Sequence, residues 1–240
     1  MSNCLLGRNG FLGREIAKRI GKFETTPHKN SNVIYYFGAP SSVMLFNKNI
    51  DYCFRETIGT FLELASLVKD NNIYLVYPSS ATVNNKNNSY ARCKACLEEI
   101  HQAYNLNALG LRIAASYGPG EDHKSNYAST VYQWCKQMKD GERPVIWGDG
   151  TQTRDFIYID DVIDNIMELV EKRATGIYEI GTGVNTSFNE IIKTINKVLG
   201  TNVEPVYIDK PGNYIQDTPV KGVKCKVSLE EGIKKIIESL

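Results

Sequence analysis

The sequence has little of what marks a nucleic-acid-binding or membrane protein. Its 28 lysines and arginines are balanced by 27 acidic residues, which gives a formal net charge of +1. Binding to nucleic acid or to a membrane surface usually needs a clustered basic excess. No apolar run near the N-terminus is long enough for a signal peptide or a membrane helix. We therefore expect a cytoplasmic protein with neither nucleic acid nor a membrane as its partner.

The spacing typical of metal sites is also missing. The three histidines are scattered, and the six cysteines contain one CxxC pair, Cys93 and Cys96, with no second pair or histidine partner nearby. No metal site is expected. We interpret the pair as reduced cysteines on a helix surface of a cytoplasmic protein, with a metal or redox role as the alternative.

The pattern of apolar segments indicates an α/β fold. The chain has 240 residues, 42% of them hydrophobic, which suits one compact domain or one domain with a small lobe. Short runs rich in valine, isoleucine and leucine alternate with segments of helical periodicity, as in a doubly wound parallel sheet. Strands are predicted at 32–37, 73–77, 109–114, 145–147 and 177–180, and helices at 51–69, 90–104, 125–139, 160–172, 187–199 and 228–239.

The stretch CLLGRNGFLG, residues 4–13, predicts a short strand and a glycine loop before the helical run REIAKRI. In a dinucleotide phosphate site, Gly7 would allow a tight turn, Gly10 would let the backbone approach the pyrophosphate, and Gly13 would let the helix pack against the strand. The positive end of the helix would face the phosphates. Three glycines alone are a weak signal, with a plain tight turn between a strand and a helix as the alternative.

A second candidate site begins with Ser80, at the carboxyl end of a predicted central strand, where ligands of parallel sheets bind. Tyr90 and Lys94 follow, four positions apart, and share one face of the predicted helix. A cationic Lys94 would lower the pKa of the Tyr90 phenol toward neutrality and make it a usable general base. Ser80 would hydrogen-bond the same substrate oxygen. The alternative is a solvated helix start. Tyr132 and Lys136 have the same spacing without a serine-ended strand before them, and we interpret them as a chance match.

Five motifs together resemble the extended short-chain dehydrogenase/reductase family, most closely its nucleotide-sugar epimerases, dehydratases and reductases. They occur in family order over nearly the whole chain: GRNGFLG, SSATV with YARCK, LRIAASYGPG, GDGTQTRDFIYIDDV and EIGTG. The resemblance implies a Rossmann-like dinucleotide-binding domain over residues 1–118, which also receives the strand near 177–183. Residues 119–240 would form a mostly substrate-binding lobe.

The resemblance also implies catalytic and cofactor-binding roles. Ser80, Tyr90 and Lys94 match the catalytic serine, tyrosine and lysine of the family. The cofactor would be NAD or NADP, and its expected contacts are Gly7, Arg8, Asn9, Gly10, Phe11, Leu12, Gly13, Gly38, Ala39, Tyr90 and Lys94.

Three residues match substrate-binding positions of the family. Arg154 matches an arginine that holds the substrate diphosphate, with an ion pair to Asp155 or Asp160 as the alternative. Trp147 precedes GDG, where an aromatic residue often lies near the nucleotide, although core packing is the preferred interpretation. Lys210, in KPGN, stands where the family often has the arginine of RPGD, which suggests a weaker second phosphate contact.

One part of the family pattern is missing. Val33 follows Gly13 by only twenty positions, and the helix after the loop needs about twelve of them. The family normally fits a second strand, a helix and a third strand here, and an acidic residue ending the second strand binds the adenosine ribose. The sheet should therefore be shortened by about one βαβ unit and should lack this anchor.

Arg8 would be the natural substitute for the missing ribose anchor and could bind the 2′-phosphate of NADP, unless it points to solvent. Ala115 and Asn84 also replace the family's usual asparagine and tyrosine.

The motifs favour a nucleotide-sugar epimerase that acts at C4 by transient hydride transfer to the nicotinamide. Ser80, Ala81 and Thr82 stand where dehydratases of the family have Thr-Asp-Glu, so the acid and base for elimination of water are lacking. The alternatives are an NADPH-dependent reductase of a keto-sugar nucleotide and a non-catalytic nucleotide-binding relative. A nucleotide-diphosphate sugar is the expected substrate. Apolar positions on the helices near 51–69 and 90–104, which resemble the dimer-forming helices of the family, predict a homodimer.

Overall fold

A computed structural model of the protein describes residues 2–84, 88–210 and 216–240. No helix within these ranges is long and apolar enough to cross a membrane. The strands are β1 (Ser2–Leu6), β2 (Ser31–Tyr36), β3 (Tyr74–Ser80), β4 (Ala108–Ile113), β5 (Ala115–Tyr117), β6 (Val145–Trp147), β7 (Thr153–Tyr158), β8 (Gly176–Ile180), β9 (Asn185–Ser187) and β10 (Val206–Ile208). The α-helices are α1 (Phe11–Ile20), α2 (Val43–Lys48), α3 (Ile50–Phe54), α4 (Thr60–Asn71), α5 (Ser89–Tyr104), α6 (Thr130–Lys139), α7 (Ile159–Glu171), α8 (Phe188–Leu199) and α9 (Leu229–Ser239).

The chain divides into two compact units. The first consists of Met1–Ile113 and Ile163–Glu179, and the second of Ala114–Val162 and Ile180–Leu240. The first unit thus includes most of α7 and of β8, although both elements lie in the later part of the chain. The assignment of the cofactor to residues 1–118 and of the substrate to the remaining lobe stays a prediction.

The first unit is built on a five-stranded sheet in the order β1-β2-β3-β4-β8. The neighbouring pairs from β1 to β4 are parallel. Leu75, Val76 and Tyr77 of β3 are consecutive and all buried, as expected for a parallel strand covered on both faces. These features agree with the predicted doubly wound, Rossmann-like sheet.

One edge of this sheet is β1. On its outer side, the described residues contribute a single isolated bridge, between Cys4 and Glu24. The bridge has two backbone hydrogen bonds of 2.9 Å, from Leu5 N to Glu24 O and from Glu24 N to Asn3 O. The sheet is therefore shortened at this edge, as predicted, and the segment between α1 and β2 reaches β1 at one residue.

The helix predicted over 51–69 is interrupted. It consists of α3, a turn of π-helix at Arg55–Gly59 and α4. The Tyr36 hydroxyl of β2 donates to the carbonyl oxygens of Glu56, at 3.0 Å, and Thr57, at 3.2 Å. A side chain inserted into the hydrogen-bond ladder of a helix favours such a π-turn. No local sequence pattern shows it, because Tyr36 lies twenty residues upstream.

The second unit contains two smaller sheets, β5-β7-β9 and β10-β6. The sequence predicts a loop over GDGTQTRD, but β7 begins within it, at Thr153, and pairs with β5 and β9. Both partners are distant in sequence, so the local pattern could not reveal the strand. The helix predicted from residue 125 begins at Thr130, because the Ser129 hydroxyl accepts a hydrogen bond of 3.2 Å from Tyr132 N and caps it.

The interpretation of the CxxC pair as a helix surface is wrong for Cys93. This residue is fully buried and packs with Phe46 and Cys53, whereas Cys96 is half-buried. Burial raises the pKa of the Cys93 thiol to about 11, so the thiol keeps its proton at neutral pH and is a poor nucleophile. Within the described ranges, no group of three or more His, Cys, Asp or Glu side chains could hold a metal ion.

Candidate active site

The carboxyl ends of four strands meet at one edge of the first unit's sheet. Because β1 to β4 run parallel, Gly7, which follows β1, Phe37, which follows β2, and Ser80, which ends β3, lie at the same edge. A Cβ atom on Gly7 would lie 2.3 Å from the carbonyl carbon of Phe37, and one on Gly38 would lie 3.4 Å from Gly7 N. The predicted cofactor residues Gly38 and Ala39 thus adjoin the glycine loop.

Two residues without side chains give the glycine loop its shape. Gly7 has a φ of +89°, in the left-handed region that favours glycine. A Cβ atom on Gly13 would lie 2.0 Å from the Gly7 carbonyl oxygen, so α1 can pack on the loop only with glycine at that position. The roles predicted for Gly7 and Gly13 agree with this geometry. Gly10 N donates to Gly7 O at 2.9 Å, and the approach of Gly10 to a pyrophosphate stays a prediction.

The other predicted residues of the loop differ in exposure. Phe11 is buried and Leu12 half-buried, whereas Arg8 and Asn9 are exposed. Arg14 Nε donates to Asn9 O at 3.1 Å, which holds the turn against the first turn of α1. The exposure of Arg8 is compatible with both alternatives, contact with a 2′-phosphate and a direction into solvent.

The predicted catalytic residues meet where β3 ends against α5. Asn88 caps α5 through its side chain, so that Tyr90 lies in the first turn of the helix. The Ser80 hydroxyl lies close enough to the Tyr90 phenol to lower its pKa, and it lies 2.9 Å from Thr82 Oγ1. Lys94 Nζ lies 5.8 Å from the centre of the Tyr90 ring. The structure therefore brings Ser80, Tyr90 and Lys94 together, although their roles stay a prediction.

Lys94 is buried, with 1% of its surface exposed. Its Nζ donates to the carbonyl oxygen of Pro78 at 3.4 Å. Burial disfavours the ammonium form and lowers the pKa of Lys94 from 10.5 to about 8. The amine can therefore gain or lose a proton close to neutral pH.

The prediction that Lys94 brings the pKa of Tyr90 toward neutrality is wrong for this arrangement. Burial disfavours the phenolate and raises the pKa of Tyr90 above its ordinary value, and the neighbouring Ser80 hydroxyl offsets this only in part. Lys94 Nζ stands over the Tyr90 ring and bonds to Pro78. Ser80 is thus the neighbour that favours the phenolate.

Tyr132 and Lys136, which share the spacing of Tyr90 and Lys94, lie on α6 in the second unit. Tyr132 is buried and lies beside Asp122, and Lys136 Nζ lies 3.7 Å from the same carboxylate. Burial and the acidic neighbour both raise the pKa of the Tyr132 phenol above its ordinary value. These surroundings disfavour a general base and support the interpretation of a chance match.

Two predicted substrate residues converge on Gln216 in the second unit. Arg154 Nη1 donates to the carbonyl oxygens of Thr153, at 2.6 Å, and Gln216, at 3.0 Å. Lys210 Nζ lies 3.4 Å from Gln216 Oε1. The Arg154 guanidinium also stands over the Phe188 ring, 5.7 Å from its centre. Two cations held around one residue suit a diphosphate, and the contact itself stays a prediction.

Other expectations in this unit are corrected. Trp147 is 38% exposed at the end of β6, so the preferred interpretation of core packing is wrong. The Asp155 carboxylate, an alternative partner for Arg154, accepts hydrogen bonds from Thr182 N and Oγ1, at 2.8 Å, and from Gly183 N, at 2.7 Å. It therefore holds the EIGTG segment. Residues 211–213 of the KPGN segment lie outside the described residues.

Sequence reasoning missed a continuation of the Tyr90 face of α5. Glu98 follows Lys94 by four positions, as Lys94 follows Tyr90, so the spacing alone could have placed it on this face. Its buried carboxylate bonds to Ser79 and Arg112. The partners come from two different strands, which the sequence does not reveal.

The chain is similar in sequence to a known protein family and to named proteins. A sequence model described as the NAD dependent epimerase/dehydratase family matches residues 22–181. A provisionally named UDP-glucose 4-epimerase of Methanocaldococcus jannaschii is 34% identical over 146 residues, which cover 57% of this chain and 47% of that protein. An ADP-L-glycero-D-manno-heptose-6-epimerase of Brachyspira hyodysenteriae is 32% identical over 187 residues, which cover 69% of this chain and 58% of that protein. The chain thus spans about half the length of the curated relatives it matches.

A solved structure confirms the fold. UDP-glucose 4-epimerase with UDP-glucose, from the hyperthermophilic eubacterium Thermotoga maritima, superposes with a TM-score of 0.89 over 100% of this chain and 98% of that chain, at 21% identity. The likeness confirms the predicted Rossmann-like α/β class. Since the family match extends over most of the chain, and a curated relative is 32% identical over 69% of it, the chain belongs to the NAD dependent epimerase/dehydratase family.

Proposed function

We propose that this chain is a nucleotide-sugar epimerase that inverts the sugar at C4, with Ser80, Tyr90 and Lys94 as catalytic residues. The observation that carries the proposal is the position of Tyr90 next to the Ser80 hydroxyl and to a buried Lys94, whose Nζ lies 5.8 Å from the centre of the Tyr90 ring. Membership of the family supports it, as does the similarity to a protein named as a UDP-glucose 4-epimerase.

The glycine loop fits the pyrophosphate of NAD or NADP. Side chains at Gly7 or Gly13 would collide with the loop backbone, so the loop has the compact shape that lets backbone amides approach a phosphate. The positive end of α1 follows directly. These glycines and Gly10 would hold the pyrophosphate, and Lys94 the nicotinamide ribose. When bound, the nicotinamide would take up a hydride from the sugar and return it.

The catalytic side chains then handle one proton. Tyr90 as phenolate accepts the proton of the sugar 4-hydroxyl, while Ser80 hydrogen-bonds the same oxygen and keeps it oriented. The Ser80 hydroxyl is the neighbour that favours the ionised phenol. On the return step, Tyr90 gives the proton back to the oxygen, after the sugar has presented its other face. Nothing is consumed in the net reaction.

The second unit offers groups for the nucleotide diphosphate. Arg154 and Lys210, both in contact with Gln216, would bind the diphosphate oxygens, the guanidinium by a two-pronged contact. The exposure of Trp147 supports the alternative weighed for it, a contact with the nucleotide.

A homodimer is part of the proposal. Ile50 and Tyr52 on α3 and Leu62 on α4 are large apolar residues that are 46%, 49% and 38% exposed. Tyr52 and Leu62 lie in the segment 51–69, whose likeness to the family's dimer-forming helices predicts association, and Ile50 directly precedes it. Light scattering at micromolar concentration should give the mass of a dimer, and the mass of a monomer would contradict this part.

The test combines turnover with analysis of bound cofactor. Purified protein is incubated with UDP-glucose and other UDP-sugars, and bound nicotinamide is measured by absorbance and mass after denaturation. Tightly held NAD with interconversion of 4-epimers supports the epimerase. Exchangeable NADPH with one-way reduction of a keto-sugar nucleotide would identify the reductase instead. The shortened edge at β1 is the observation that favours a non-catalytic relative, and absence of binding at any cofactor concentration would identify it.

A further inference from the structure

We infer that Glu98 and Arg112 are positioning residues, which hold α5 against the end of β3 and so set the contact between Ser80 and Tyr90. This inference rests on the proposed function, because it assigns the pair a role in the proton transfer. Four observations carry it: the geometry of the Glu98 carboxylate, the register of the strands, the spacing on α5, and the reach of the Arg112 side chain.

The Glu98 carboxylate ties one helix to two strands. Its Oε1 accepts hydrogen bonds from Ser79 Oγ, at 2.5 Å, and from Arg112 Nε, at 3.0 Å. Its Oε2 accepts from Arg112 Nη2, at 2.6 Å. Ser79 of β3 and Arg112 of β4 are direct partners in the parallel register. The two-pronged guanidinium contact fixes direction as well as distance, so α5, β3 and β4 meet at one rigid junction.

The junction is coupled to the catalytic residues through β3. Three successive residues of this strand face three side chains of α5: Pro78 accepts a hydrogen bond from Lys94, Ser79 donates one to Glu98, and Ser80 lies beside Tyr90. The three helical residues are four positions apart and lie on one face. Because the helix moves as a body, a displacement at Glu98 changes the distance between the Ser80 and Tyr90 hydroxyls.

Arg112 extends the junction to the connection between β3 and α5. Its Nη1 donates to Asn84 Oδ1 at 3.2 Å, and it lies 4.0 Å from Glu179 Oε1 of β8. One guanidinium therefore contacts the segment that leaves β3 and the helix that follows it. The same side chain therefore contacts residues on both sides of the connection that leads to Tyr90.

The surroundings of this pair point to orientation rather than to stability. Glu98 is 7% exposed and Arg112 is half-buried, and removing a carboxylate and a guanidinium from water can offset all that their attraction contributes. Apolar side chains could serve stability equally well. A two-pronged charged contact beside the reacting groups instead provides a fixed geometry, which proton transfer requires.

The experiment compares Glu98→Gln and Arg112→Lys with a matched control, Arg19→Ala. Arg112→Lys keeps the charge but loses the planar fork, and Arg19→Ala removes the 2.6 Å ion pair with Asp164 in the same unit. Both junction variants should lower kcat on the order of 10–100-fold, as expected for a small misplacement of reacting groups, with KM for the nucleotide sugar unchanged. The acidic limb of kcat/KM should move to higher pH, because the Ser80 contact that lowers the pKa of Tyr90 is weakened. The Arg19→Ala control should keep the wild-type kcat and the wild-type position of the acidic limb of kcat/KM.

The inference would be overturned if the junction variants and the control had the same kcat and the same acidic limb of kcat/KM. So would a fall in kcat with an unmoved limb and a proportionate loss of melting temperature, since a purely structural role predicts that result. If Glu98→Gln does not fold, Ser79→Ala removes only one bond to Oε1 and must show the same shift of the limb with a smaller fall in kcat.

Failure of the proposed function is recognised separately. If the wild type turns over none of the nucleotide sugars, the epimerase proposal fails. Amide hydrogen exchange then tests whether the junction holds the start of α5. Residues 89–95 should then exchange faster in Glu98→Gln than in Arg19→Ala at matched global stability. Equal exchange would overturn the junction as a device that holds the start of α5.

Discussion

The carboxyl edge of the main sheet is densely bonded at β3 and sparse at β1. At β3, Pro78 and Ser79 are hydrogen-bonded to the buried side chains of Lys94 and Glu98 on α5, and Ser80 lies beside Tyr90. Beside β1, the described residues contribute one bridge at Glu24. The Glu24 carboxylate bonds to Ser2 and His28, at the amino end of β1 and away from the glycine loop, so it does not replace the missing ribose anchor.

The difference between the β3 and β1 sides shows which parts of this fold are independent of each other. The glycine loop needs only β1, α1 and the residues after β2, and the catalytic residues need only β3 and α5. None of these contacts passes through strands beyond β1. The adenosine side can therefore be shortened without disturbing the side that is proposed to transfer protons. Four measurements test this separation, from the largest expected effect to the smallest.

Removing the proposed base at the β3 side should have the largest effect on activity. Tyr90→Phe should lower turnover on the order of 10²–10⁴-fold, because general-base catalysis is lost. Cofactor binding should persist, since the ring still packs edge-on against Phe46, at 5.4 Å between centres. Steady-state turnover and a cofactor titration measure both. Tyr132→Phe is the matched control and should be nearly silent, and near wild-type turnover in Tyr90→Phe would refute the assignment.

Burial of Lys94 should make stability depend on pH above neutrality. A pKa of about 8 in the folded chain against 10.5 corresponds to roughly 3 kcal/mol. Below pH 8 both states hold the proton and the cost of burying the ammonium is complete. Between pH 8 and 10.5 only the unfolded chain holds it, so stability rises with pH. Lys94→Met should therefore be more stable than the wild type at pH 7, and the difference should close toward pH 10.5.

Urea unfolding of both proteins at pH 7 and pH 10 measures this difference. Lys136→Met, which removes an exposed lysine, is the control and should differ from the wild type by the same amount at both pH values. A pH-independent difference for Lys94→Met would contradict the lowered pKa.

The glycine loop should fail when Gly13 gains a side chain. Gly13→Ala places a Cβ 2.0 Å from the Gly7 carbonyl oxygen, and overpacking of this kind costs about 1–3 kcal/mol. Cofactor affinity should fall by about 10–100-fold if the loop carries the pyrophosphate. Gly59→Ala, where nothing lies within 4 Å of the new Cβ, should leave affinity unchanged. Equal affinities in the two variants would show that the loop does not hold the cofactor.

The smallest effect concerns the choice of cofactor at the β1 side. Losing the carboxylate contact to the ribose removes a bond worth about 1.5–3 kcal/mol, so NAD should bind roughly 10–100-fold more weakly than at an intact site. Arg8 is exposed and could bind a 2′-phosphate. NADP(H) should therefore bind at least as well as NAD(H), and Arg8→Ala should erase the difference. Calorimetric titration of both cofactors, with Lys18→Ala as the control, measures this, and a strong NAD preference unchanged by Arg8→Ala would refute it.

The elements of the main sheet could be predicted because their patterns are local. The runs at 32–37, 73–77 and 109–114 are dense in apolar residues, and such runs are typical of buried parallel strands. β7 could not be predicted, since its residues form a strand by pairing with 115–117 and 185–187. The π-turn at 55–59 likewise depends on a hydroxyl from β2.

The amino-acid sequence was enough to predict the family, the glycine loop and the shortened β1 side. It also identified Ser80, Tyr90 and Lys94 as candidates. These predictions were possible because glycine conformation and helical spacing are properties of a short stretch of chain. Only the tertiary structure decided the direction of the Tyr90 pKa, the exposure of Trp147 and the junction at Glu98. Each of these depends on burial or on partners from distant segments, and a pKa, an exposed surface or a three-way contact exists only once those segments have come together.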